Sequence, residues 1–162
     1  MDTLSHALWA KGLFGNKKYF YIAIFFGILP DLFSMGLAII FFIINGDWDI
    51  LLTIIKLQDS DPTVIPSWTF ALHNVLNSFI IAFSVIGIIA LWKKELAFAM
   101  LGWPFHICLD FPFHSSEYFP NHIFWPISDF YFDGIPWDNL LILIPNFAGL
   151  LILFIWRKHQ ER

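Results

Sequence analysis

Gly102-Trp103-Pro104-Phe105-His106-Ile107-Cys108-Leu109-Asp110-Phe111-Pro112-Phe113-His114 is a hydrophobic run carrying two imidazoles and a carboxylate at four-residue intervals. On an α-helix, positions i and i+4 lie one above the other with Cβ atoms roughly 6 Å apart, so His106 and Asp110 can face one cation together. His114 extends the row, although Pro112 is expected to end or kink the helix before it. The plain alternative makes His106 a satisfied core histidine and Asp110 a helix-end carboxylate. A charged partner inside an apolar helix favours the metal site.

The rest of the chain makes that helix a membrane helix. Of 162 residues, 58% are hydrophobic and only 14% charged, and the mean hydropathy is +0.68. Such a composition excludes a soluble globule. Several apolar runs reach the ~20 residues that a bilayer span requires. The expectation is an all-α integral membrane helical bundle, one domain over residues 1–162. Asp2 and His6 precede the first lysine, so no secretory signal peptide is expected. The single cysteine, Cys108, cannot form an internal disulfide. No basic stripe suits nucleic acid, and the expected partners are membrane lipid and a small-molecule or lipid substrate.

Residues 2–14 read as a helix too short to span, followed by a turn at Gly15-Asn16-Lys17-Lys18. Four full spans are expected near 19–44, 70–92, 96–112 and 138–156, the first interrupted at Leu29-Pro30-Asp31 and Gly36. Counting outward from the turn at 1.5 Å per residue places His6 and Asp31 each roughly 17–20 Å away. A helical hairpin would bring them to similar depth. The second span carries His73, Asn74 and Asn77 in its first turns, and an aromatic loop fills 112–137.

Eight of the nine Lys and Arg residues fall at one set of span ends, and only Lys56 at the other. By the positive-inside rule those ends are cytoplasmic, both termini with them, in what would be a bacterial inner membrane. His6, Asp31, His73, His106, Asp110 and His114 then converge on one outward-opening pocket. Imidazole nitrogens and carboxylate oxygens suit zinc, and six candidates would serve one or two divalent ions. Glu117 and His122 stand close enough in sequence to act as general acid or base. Two other classes remain open: a small ion- or metal-handling protein, and a catalytically inactive membrane scaffold.

The early His6, Leu29-Pro30-Asp31, His106-x3-Asp110 and Trp125-Pro126-Ile127-Ser128, in that order over residues 1–137, resemble a known family. It is the membrane-bound, metal-dependent hydrolases, also called LexA-binding, inner-membrane-associated hydrolases, similar in pattern to zinc-dependent phospholipase C-like proteins. The resemblance implies hydrolysis of an ester or phosphoester. Many members carry a His-Arg-x-x-Thr-His-Ser run where this chain has His73-Asn74-Val75-Leu76-Asn77-Ser78. The Arg, Thr and second His are absent, and His114 stands as a candidate replacement.

Cysteine labelling from outside the cell should reach positions within 57–63 and 115–123 and spare 93–95. Outside labelling at 93–95 would invert the orientation.

Overall fold

The computed structural model describes residues 1–55, 64–114, 120–135 and 139–160. Among them the chain is all helical. The helices are α1 (Thr3–Phe14), α2 (Phe20–Phe33), α3 (Met35–Asn45), α4 (Trp48–Ile55), α5 (Ser67–Leu76), α6 (Phe79–Ala90), α7 (Lys94–Met100), α8 (Gly102–Asp110) and α9 (Leu140–Gln160). A 3-10 turn over Phe111–Phe113 closes α8 at Pro112, as a residue without an N–H should. Helix α1 has 12 residues and so is about 18 Å long, too short to cross a hydrocarbon core.

Two helical stretches are long and apolar enough to cross a membrane, Lys94–Phe113 (α7, α8 and the 3-10 turn taken together) and Leu140–Gln160 (α9). The count rises to four if each of two bent pairs is one span: α2 with α3, bent by 52°, and α5 with α6, bent by 53°. The 70–92 stretch is therefore not the continuous helix expected of it. Asn77 and Ser78 interrupt it because short polar side chains compete for backbone groups. Ser78 accepts from Ile81 N–H as the cap of α6 and donates to the Trp125 carbonyl at 2.5 Å. The break in 19–44 also moves. Helix α2 runs through Pro30 and ends at Ser34, whose N–H and hydroxyl both donate to the Pro30 carbonyl.

The burial pattern is consistent with a bundle solvated by lipid. Leu141, Leu151, Ile152, Phe83, Ile88 and Leu91 are exposed, whereas Ser5, His6, Thr69, Asn77, His106 and Asp110 are buried. In water so much exposed apolar surface would drive association, whereas hydrocarbon covers it without cost. The polar groups turn inward because lipid offers them no partner.

Small residues let α1, α2 and α8 approach closely. A Cβ on Gly27 would lie 2.4 Å from Ala10 Cβ and 3.0 Å from the His6 carbonyl oxygen. One on Gly102 would lie 2.8 Å from the Ala23 carbonyl oxygen. Helix α9 runs unbroken through Pro145 and is fastened to α1 by polar contacts. Trp9 Nε1 donates to Asn146 Oδ1 at 2.7 Å, and Asn146 Nδ2 donates to Ser5 Oγ at 2.8 Å.

Gly27→Ala should lower stability by about 1–3 kcal/mol, the usual effect of overpacking. Gly87→Ala, whose Cβ meets nothing within 4 Å, should be neutral or raise it through helix propensity. Thermal unfolding of the two variants in detergent compares them, and equal effects would contradict the close approach.

Candidate metal centre

Three helices bring the site together. The hairpin of α1 and α2 carries His6 and Asp31 to α8, which supplies His106 and Asp110. One nitrogen or oxygen from each of His6, Asp31 and His106 lies within 4.8 Å of the others, so this group could hold a metal ion. His106 Nε2 stands 3.6 Å from Asp31 Oδ1 and 3.2 Å from Asp110 Oδ2. Ligand atoms on one tetrahedral zinc at 2.0–2.2 Å are separated by about 3.4 Å, so these spacings suit a shared cation.

The orientation of His106 is fixed from behind. Its Nδ1 lies 2.8 Å from the Gly27 carbonyl oxygen. A carbonyl only accepts, so Nδ1 carries the hydrogen and Nε2 is left to face the two carboxylates. A lone pair opposite two anionic oxygens needs a cation between them, either a proton or a metal ion. Metal-bound histidines commonly donate their other N–H to a backbone carbonyl in this way.

His6 stacks on His106 with ring centroids 3.8 Å apart and planes 30° apart. Its Nε2 comes within 2.9 Å of Asp110 Oδ1, yet the contact lacks hydrogen-bond alignment. Neither ring nitrogen has a hydrogen-bond partner, although the residue is 1% exposed. Asp31 is steadied by Thr3, whose hydroxyl donates to Oδ2 at 2.6 Å. Asp110 is the anionic hub. His6, His106 and His114 approach its oxygens, His114 Nε2 at 3.3 Å, and the Met1 amino group lies against Oδ1.

The sequence candidates thus separate by distance. His6, Asp31 and His106 form the mutually close set, while Asp110 and His114 border it. His73 stands behind His114, ring centroids 5.6 Å apart, outside that set, with Nδ1 3.0 Å from Asn77 Nδ2. Glu117 lies outside the described residues. His122 is engaged by Asn74, Nδ1 to Oδ1 at 2.9 Å, with Tyr131 edge-on to its ring. Cys108 is exposed on α8.

Sequence reasoning missed Thr3 and Gly27. Thr3 stands three residues before His6, hence on the same helical face. An isolated glycine in an apolar helix is a sign of close backbone approach. No family model, curated protein or solved structure matches the chain.

Thr3→Val removes the hydroxyl that orients Asp31 and keeps the side chain's shape. It should weaken zinc binding by about 10–100-fold, as loss of a supporting hydrogen bond typically does. Equilibrium dialysis of the purified protein against buffered zinc measures this, and unchanged affinity would remove Asp31 from the ligand set.

Proposed function

We propose that the protein is a membrane-embedded, metal-dependent hydrolase that cleaves an ester or phosphoester, one derived from a lipid. The observation carrying this reading is the position of His106 Nε2, held by the Gly27 carbonyl to face Asp31 and Asp110. It is supported by the imidazole of His6, stacked on His106 with Nε2 against Asp110 and Nδ1 without a hydrogen-bond partner, and by the family resemblance of the sequence. The fold in this reading has four full spans and the half-span α1. The Lys- and Arg-rich ends and both termini are cytoplasmic, the membrane is the bacterial inner membrane, and the site opens outward.

His6, Asp31 and His106 would hold one zinc ion, with Asp110 beside them as a further ligand or as the base that orients both histidines. A divalent cation held there would supply Lewis-acid chemistry, lowering the pKa of water and polarising a carbonyl or phosphoryl oxygen. The chain's own part is to place that chemistry among apolar helices, where charge interactions are strong. Asp31, 27% exposed at its side chain, is the ligand facing the route by which water and substrate arrive. His114, against the second oxygen of Asp110, is placed to pass a proton to the leaving group. His73, behind it, keeps a place in the reading as a ligand for a second ion through its contact with His114.

A second reading, ion or metal handling, draws on one observation. The sequence shows no pair of interrupted helices in matching halves, yet the structure has two helix pairs bent by nearly equal angles, 52° and 53°. Broken helices of this kind flank ion sites in transporters.

His106→Ala and Asp110→Ala should each abolish retention of stoichiometric zinc, and each should cost nearly as much as the double variant because the two act as a unit. The same variants should lose hydrolysis of a generic phosphoester by the detergent-purified protein. Full zinc retention in both would end the metallohydrolase reading. Zinc retention by the unmodified protein without hydrolysis, but with ion flux in vesicles, would favour the second reading.

A further inference from the structure

At the end of the bundle away from His6, His106 and His114, a crevice of about 420 Å³ opens between the last turn of α1, Phe98 of α7 and the last turns of α9. Leu13, Phe98 and Trp156 give it apolar walls, and all three are exposed. Arg157 lines it and donates from one guanidinium nitrogen to the Lys11 and Gly12 carbonyls, at 3.0 and 2.8 Å. Those carbonyls form the negative end of the α1 dipole, so Arg157 neutralises what would otherwise repel an anion.

The charge around the crevice is one-sided. Among the described residues this end of the bundle carries Lys11, Lys17, Lys18, Lys93, Lys94, Arg157 and Lys158 against the single carboxylate Glu95. A positive rim above an apolar, partly aromatic wall matches a molecule with a negative head and a hydrocarbon body. A free anion would leave Leu13, Phe98 and Trp156 uncovered, and a zwitterionic lipid would offer the rim no net charge. Basic pockets between membrane helices bind acidic headgroups on these terms.

We propose that this crevice is a binding site for one anionic phospholipid of the leaflet at the cationic end. The phosphate sits in the field of Arg157 and its neighbouring lysines, and the glycerol and first methylenes lie against Leu13, Phe98 and Trp156. The site joins α1 to α9 and is independent of any metal chemistry at the opposite end.

The test uses the full chain in neutral detergent, titrated separately with phosphatidylglycerol, phosphatidylcholine and inorganic phosphate. Unfolding is followed by tryptophan fluorescence, and retained lipid is counted by native mass spectrometry. Phosphatidylglycerol should raise the unfolding temperature saturably with one lipid retained, while phosphatidylcholine and phosphate should not. Arg157→Ala should lose the effect. Because that change also frees two α1 carbonyls, Gln160→Glu serves as the second variant: it adds a carboxylate to the exposed rim and should weaken phosphatidylglycerol at least fivefold with the unfolding temperature in plain detergent unchanged. Equal effects of the two lipids, an equal effect of inorganic phosphate, or wild-type titration of Gln160→Glu would each overturn the proposal.

Discussion

A carboxylate buried among apolar helices dictates much of this structure. Asp110 is 2% exposed, and an ionised group so placed costs several kcal/mol unless other charges and dipoles surround it. Among the described residues, the side chains and terminus that pair with its two oxygens are cationic or can become so: His6, His106, His114 and the Met1 amine. The short helix α1 finds its position here. It is too short to cross the bilayer, but it delivers an imidazole to a point that no loop could reach without exposing backbone to lipid.

Bringing that imidazole in requires backbones to touch. Gly27 lies under the first helix with no room for a methyl group, and the same residue offers its carbonyl to His106. One glycine thus sets both the depth of His6 and the direction in which His106 Nε2 points. Packing and chemistry are not separable at this position, since moving the helix apart would also turn the ring.

The sequence showed what depends on short-range spacing. The four-residue interval places His106 and Asp110 on one face of α8, and counting from the Lys17-Lys18 turn was enough to set His6 and Asp31 at one depth. What stayed hidden depends on partners far along the chain. Ser34 rather than Pro30 ends α2, because a proline's lost hydrogen bond can be tolerated while a serine that takes the carbonyl four residues back offers the chain a turn. Asn77 and Ser78 looked like polar residues inside a span, and their hold on the Trp125 carbonyl and His73 follows only from the fold. The distance of His73 from the carboxylates is likewise a matter of where α5 lies, which no local pattern encodes. Thr3 was overlooked because a threonine near a helix start has an ordinary explanation as a helix-end residue.

The attachment of α9 to α1 has a consequence for timing. Ser5 and Trp9 find their partner in Asn146, 141 and 137 residues later, and the end of α1 finds Arg157 later still. Joining residues so far apart carries a large loop-closure entropy, so these contacts form late relative to the local packing of α1 on α2. Displacing α9 would release Ser5, Trp9 and the end of α1, while His6 would stay against α2 and α8.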